Sequence, residues 1–161
     1  MLTKVITSLT LFTKKLALIV MTIMMLFITF AVFSRTFFTP IVGDVEIVRL
    51  GMVVLIMFGL AYTQNINGHI AVGLFVDRLS EKLQLGFDVF AALLTFIVTI
   101  MISIIFIGVV NIHRFEMPLS TDLLSIPYYP FDWIIVIGFM LWGLEALLKL
   151  ITSIQNLIKY K

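Results

Sequence analysis

The sequence predicts an all-α integral membrane protein with four transmembrane helices and a short amphipathic interfacial helix between the second and the third. Of its 161 residues, 61% are hydrophobic and 12% are charged, whereas a soluble domain carries about 25% charged residues. Four long runs are uncharged or almost so, and about 20 apolar residues cross the hydrocarbon core of a bilayer. Because backbone polar groups in lipid must satisfy one another, each run should be a helix.

The first span is predicted at about residues 16–36, after the basic residues Lys4, Lys14 and Lys15. Its apolar run of about 19 residues exceeds the roughly 7–15 residues of a signal-peptide core, and no small-x-small cleavage site closes it. We therefore interpret this segment as a retained membrane helix.

The remaining spans follow from the other three apolar runs. We see no internal repeat and no low-complexity linker, so the chain is predicted to form a single membrane domain over residues 1–161. The predicted elements after the first span are a second span at about 46–66, the interfacial helix at about 70–85, a third span at about 88–112 and a fourth at about 131–154.

The orientation follows from the basic residues, which are enriched in the cytoplasmic parts of membrane proteins. With four spans, the two termini and the segment between the second and third spans share one side, which holds eight of the eleven Lys and Arg residues. Both termini are therefore predicted to be cytoplasmic. The loop of residues 114–129 should lie on the opposite side.

The interfacial helix is predicted because residues 70–85 are too polar to span a membrane yet have apolar side chains on one helical stripe. Basic side chains flank that stripe and can reach lipid headgroups. The alternative to an interfacial helix is a solvated helix whose only role is to connect the second and third spans. The residues assigned to the interfacial anchor are Val72, Phe75, Val76, Arg78, Leu79, Lys82 and Leu83.

The sequence contains few side chains of the types that form catalytic or metal sites. The chain has no cysteine, and His69 and His113 fall at opposite ends of the predicted spans, so they cannot share a haem or a metal ion. Sequence motifs of hydrolases, metalloproteases and nucleotide-binding loops are missing. We expect no catalytic residues, no metal, no cofactor and no enzyme activity, and we interpret His69 as a capping or interfacial side chain.

Charged residues within or beside the spans allow two interpretations. Glu46 and Arg49 are spaced to pair on one helix face at the start of the second span. Glu145 lies about 14 residues into the fourth span, and Lys149 follows one turn later. Glu145 could be a proton or ion site, or it could pair with Lys149. We favour the pair, since a single buried carboxylate with no polar partner on another span makes a poor relay.

The second span also has the composition of a helix–helix contact. Small residues allow close approach of helices in lipid, and polar groups add specificity. The residues assigned to a contact with another subunit are Glu46, Arg49, Gly51, Gly59, Ala61 and Thr63.

Taken in order, these features resemble the small membrane subunit of tripartite ATP-independent periplasmic (TRAP) transporters, the DctQ-like family. That family has four spans, an Arg after the first and a Glu opening the second. Gly73 departs from the pattern, because the family often carries an acidic residue there. The main motif positions in this chain are Arg35, Glu46, His69, Val72, Pro127 and Pro130, and the further matches are Gly59, Ala61, Tyr62, Ile70, Asp77 and Gly138.

The resemblance implies a function. The chain would be the small permease subunit in a bacterial inner membrane, scaffolding a large transport subunit for sodium-coupled uptake of an organic acid. A periplasmic binding protein would deliver that acid. The implied partners are the large subunit, the binding protein and membrane lipid, with no nucleic acid. The alternative is a free-standing oligomeric small transporter or channel with Glu145 lining the pathway, and a membrane-embedded enzyme comes third.

Overall fold

The computed structural model describes residues 2–66, 68, 76 and 78–160. Its elements are four long helices, and a π-helical segment extends the third: α1 (Leu2–Phe37), α2 (Asp44–Asn65), α3 (Glu81–Asn111) with the π-helical segment Ile112–Glu116, and α4 (Tyr129–Lys159). All four are long and apolar enough to cross a membrane. The predicted all-helical fold with four apolar helices is therefore confirmed.

The helices begin where the sequence supplies suitable residues. Gly43 has a φ of 77° and precedes α2, and its left-handed conformation is one that glycine adopts without strain. Asp44 and Glu46 occupy the first turn of α2, where acidic side chains favour the positive end of the helix dipole. Pro130 and Asp132 lie in the first turn of α4. Proline is tolerated there, and an acidic side chain again favours the positive end of the helix dipole.

The third helix starts earlier than the apolar run indicates. It begins at Glu81, seven residues before the predicted start at about 88, so Lys82 and Leu83 lie in its first turn. A helix does not end where its apolar run ends, because charged side chains are readily accommodated where they are exposed. Glu81, Lys82 and Asp88 are all exposed.

A separate interfacial helix is not shown between α2 and α3. Of the residues assigned to it, Val76, Arg78 and Leu79 precede α3, and the Leu79 N–H donates to the Val76 carbonyl. His69, Val72 and Phe75 lie outside the described residues. The anchoring role therefore stays a prediction.

Helix α4 is the centre of the bundle. It packs extensively against α3 and also against α2, while α1 packs against α2 and touches α4. One end of the bundle carries residues 38–43 and 117–128, and we call it the loop end. The opposite end carries Leu2, Tyr160, the end of α2 and the start of α3, and we call it the termini end.

The contact face of α1 is a narrow seam. Its buried residues are spaced three or four apart from Ile6 to Ala17 and again from Ala31 to Ser34, as expected for one side of a helix packed on a neighbour. The rest of this helix exposes large apolar side chains, among them Phe12, Leu26 and Phe30. The buried residues are Ile6, Thr10, Thr13, Ala17, Ala31 and Ser34.

Small residues set how closely the other helices approach. A Cβ added at Gly138 of α4 would lie 2.7 Å from the Met57 Cβ and 2.9 Å from the Met57 carbonyl oxygen on α2. At Gly143 it would lie 3.0 Å from the Thr99 hydroxyl oxygen on α3. Helices in lipid associate through such close packing because apolar side chains gain little by leaving the acyl chains.

Candidate functional site

The loop between α3 and α4 is folded on itself at the loop end. Ser120 and Pro127 form an isolated antiparallel bridge. The Thr121 N–H donates to the Ile126 carbonyl at 2.9 Å, and the Tyr128 N–H donates to the Leu119 carbonyl at 3.0 Å. These bonds satisfy backbone groups that would otherwise need water.

Glu46 fixes the tip of this loop to α2. One carboxylate oxygen accepts from the Leu123 N–H at 2.8 Å, and the other accepts from the Leu124 N–H at 3.0 Å. The side chain is almost fully buried, with 9% of the residue exposed. Leu124 also covers Gly43, where an added Cβ would lie 2.5 Å from the Leu124 Cγ.

The pairing predicted between Glu46 and Arg49 is not present in the described part of the chain. Arg49 is exposed, and both Glu46 oxygens are directed at the loop instead. Charge-assisted bonds to backbone N–H groups are stronger than neutral ones. Glu46 therefore does not bind Arg49, which its spacing suggested, but binds the backbone of Leu123, which is 77 residues away.

Two further polar contacts hold the loop end together. Arg35 at the end of α1 binds Asp44 at the start of α2, with 2.6 Å between the Nη2 and Oδ2 atoms. His113 of the π-helical segment lies 2.7 Å from the Asp132 carboxylate of α4, measured from its Nδ1 atom. The two ends of the α3–α4 loop are thereby tied together, as are the two ends of the α1–α2 connection.

Glu145 joins three helices toward the termini end. It is buried, with 4% of its surface exposed. One of its oxygens accepts from the Thr10 hydroxyl of α1 at 2.5 Å, and the Asn65 amide of α2 donates to the carboxylate at 3.1 and 3.3 Å. We call Thr10, Asn65 and Glu145 the polar junction.

The polar junction corrects the interpretation of Glu145 as half of a pair with Lys149. No ion pair between these two residues occurs among the described residues, and the carboxylate has polar partners on two other spans. Sequence reasoning missed Thr10 and Asn65 because they are 135 and 80 residues away from Glu145. In the described part of the chain, no three metal-ligating side chains of the His, Cys, Asp and Glu types come together.

Two more contacts lie beside the polar junction. The Lys14 ammonium group donates to the Tyr62 hydroxyl at 2.8 Å, so α1 is bound to α2. The Trp142 indole N–H donates to the Gln64 side-chain oxygen at 3.2 Å, so α4 is bound to α2. Both contacts are partly buried, where polar groups are costly unless they are paired, and here the pairs join neighbouring helices.

The structure shows that some residues assigned to a subunit contact are buried inside the chain and that others are accessible from outside. Glu46 and Ala61 are buried inside the chain, and Gly51 faces the Met24 sulfur, which an added Cβ would approach to 2.8 Å. Gly59 is open, since an added Cβ there would meet nothing within 4 Å. Thr63 donates to the Gly59 carbonyl at 3.1 Å, and Arg49 is exposed.

A comparison with protein-family models finds a family that the chain matches. The model described as "Tripartite ATP-independent periplasmic transporters, DctQ component" matches residues 24–156. Those residues include all four apolar helices in whole or in part, together with the Glu46 contact and the Glu145 carboxylate. No curated protein matches the chain.

Proposed function

We propose a scaffold function from one premise: the chain belongs to the DctQ family of TRAP transporter components. It is a small subunit of such a transporter, and we infer that it braces a large membrane subunit during sodium-coupled uptake of an organic acid. In this proposal a periplasmic binding protein delivers the acid. The small subunit contributes no substrate site of its own.

The observation that supports the proposal is that the polar side chains bind other parts of the same chain. Glu46 binds a loop of the same chain, Glu145 binds two neighbouring helices, and Lys14 binds Tyr62. Among the described residues, no buried side-chain polar atom lacks a hydrogen-bond partner. A scaffold needs polar groups that hold its helices together, whereas a transport pathway needs polar groups that face a cavity.

The same observation weighs against the alternative of a free-standing channel lined by Glu145. That carboxylate is 4% exposed and accepts hydrogen bonds from both Thr10 and Asn65. Its oxygens therefore accept hydrogen bonds inside the bundle and are not accessible to an ion that crosses the membrane.

The scaffold proposal is tested by purification and transport together. An affinity tag on this chain should recover a large many-span membrane subunit from native membranes. Deleting the chain should abolish uptake of the acid although the large subunit and the binding protein are still expressed. Uptake that continues without the chain would contradict the proposal, and so would transport by the chain alone in vesicles.

The proposed orientation places the termini end in the cytoplasm of a bacterial inner membrane. Eight of the eleven basic residues belong to that side, and basic residues are retained on the cytoplasmic side during insertion. A reporter that is active only in the cytoplasm should be active at either terminus and inactive at Ser120. Activity of the reporter at Ser120 would show that the termini end faces away from the cytoplasm and would contradict the proposed orientation.

A further inference from the structure

Helix α1 is longer than the bilayer requires. It has 36 residues and is therefore about 54 Å long at 1.5 Å per residue, whereas the hydrocarbon core is about 30 Å thick. Its second part carries no charge from Leu16 to Ser34 and suits that core. Its first part, residues 3–15, lies at the termini end and holds Lys4, Lys14 and Lys15, so it needs a different environment.

One side of the first part is packed against the rest of the chain. Ile6, Thr10 and Thr13 are buried, and the Thr10 hydroxyl belongs to the polar junction. Lys14 is also engaged, because its ammonium group donates to the Tyr62 hydroxyl. Two other sides of the first part face outward, and they differ in character.

The first outward side is apolar. Val5, Leu9 and Phe12 are spaced four and three residues apart, so they lie along one side of α1, and 53%, 43% and 59% of their surfaces are exposed. We call these three residues the outer stripe. Further along the same side come Ile19 and Ile23 of the uncharged part, which are exposed as well. The outer stripe therefore continues the surface that α1 presents to lipid.

The second outward side changes character at residue 15. Lys4, Ser8 and Lys15 lie on it, spaced four and seven residues apart, and all three are exposed. Leu26 lies on the same side eleven residues after Lys15 and is also exposed. This side is thus polar in the first part of α1 and apolar in the second, with Leu11 as an exposed apolar exception.

A helix divided in this way suits the lipid headgroup layer. Interfacial helices place apolar side chains toward the acyl chains and basic residues on the polar side, where long stems reach the phosphate groups. If α1 were perpendicular to the membrane, Val5 would lie about 15 Å beyond Lys15. The headgroup layer is only about 5–8 Å thick, so the outer stripe would face water. An inclined helix avoids this.

We propose that residues 3–15 of α1 lie inclined in the headgroup layer at the termini end, with the outer stripe toward the acyl chains and with Lys4 and Lys15 beside the phosphate groups of anionic lipids. Lipid is the occupant because the outer stripe continues the lipid-facing surface of α1 and because two ammonium groups lie beside it. This role goes beyond the proposed function, since it needs no large subunit. It also concerns a different segment from the interfacial anchor predicted at residues 70–85.

Single cysteines in native membranes test this arrangement, because the chain has no cysteine of its own. Ser8→Cys and Leu9→Cys are a matched pair: the two positions are adjacent and both are exposed in the chain, but they lie on different sides of α1. In broken membranes, a water-soluble maleimide should label Ser8→Cys about tenfold faster than Leu9→Cys. Equal rates at the two positions would overturn the inference.

A photoreactive residue at Leu9 identifies what covers the outer stripe. Because Leu9 is exposed in the chain, whatever protects it in the membrane comes from outside the chain. The inference predicts adducts with lipid. Adducts mainly with another protein would overturn it and would assign the outer stripe to a subunit contact instead.

The role of the ammonium groups is tested with the purified full chain in nanodiscs of equal parts phosphatidylcholine and phosphatidylglycerol. Adducts from the photoreactive residue at Leu9 should favour phosphatidylglycerol, and Lys15→Gln should reduce that preference by about fivefold. Arg49→Gln is the control, since it removes an exposed positive charge near the start of α2 at the loop end and should leave the preference unchanged. A preference that Lys15→Gln does not alter would contradict the contact with anionic lipid.

Discussion

Replacing Gly138 with leucine should leave little correctly folded protein. Its α-carbon faces the backbone of α2, and an added Cβ would lie 2.9 Å from the Met57 carbonyl oxygen. A backbone atom cannot rotate away as a side chain can, so α2 and α4 would have to separate. Overpacking of this kind typically costs about 1–3 kcal/mol and occasionally more. Because α4 also holds α3 and contacts α1, the damage should extend through the bundle.

The measurements are the yield of monodisperse protein in detergent and the midpoint of its thermal unfolding. Gly108→Leu is the control, since it adds the same side chain where an added Cβ would meet nothing within 4 Å. We expect the control to unfold at the temperature of the unsubstituted protein and Gly138→Leu to unfold well below it. Similar midpoints for the two variants would contradict the close contact between α2 and α4.

Replacing Glu46 with alanine should release the tip of the α3–α4 loop. The Leu123 and Leu124 N–H groups would lose their acceptors, and a hydrogen bond to a charged group contributes about 1.5–3 kcal/mol. If local opening becomes easier by about 2 kcal/mol, amide exchange in the loop should accelerate about thirtyfold. Hydrogen–deuterium exchange of peptides covering residues 119–128 measures this directly.

Arg49→Ala is the matched control, because Arg49 lies one turn from Glu46 on the same helix. If the two side chains formed the pair that their spacing suggests, both substitutions would disturb the same contact. The structure instead predicts unchanged exchange in the loop for Arg49→Ala, because Glu46 keeps both of its loop contacts. Unchanged exchange in Glu46→Ala would show that the carboxylate does not hold the loop.

The sequence was sufficient to predict the four apolar helices because the bilayer imposes a minimum length and a composition on anything that crosses it. It was less informative about where the helices begin and end. Helix α1 runs from Leu2, well before its apolar run, and α3 starts at Glu81. Hydropathy marks the part of a helix that suits lipid, and hydrogen bonding continues beyond that part.

The partners of the charged residues could not be predicted for a different reason. Spacing within one helix points to Arg49 as the partner of Glu46 and to Lys149 as the partner of Glu145. The structure gives both carboxylates partners from other elements, 77 and 78 residues away for Glu46 and 80 and 135 residues away for Glu145. Contacts at such separations depend on how the helices are arranged, which local spacing does not encode.

The polar junction has a consequence for the order in which the chain is made. Ribosomes add about 5–20 residues per second, so the 80 residues that separate Asn65 from Glu145 take about 4–16 s to synthesise. During that interval α1 and α2 already exist, while Thr10 and Asn65 have no Glu145 carboxylate to bind. Of the four helices, α4 leaves the ribosome last and is also the central one, and it brings the acceptor that α1 and α2 lack. The nascent chain therefore closes this contact only when α4 arrives.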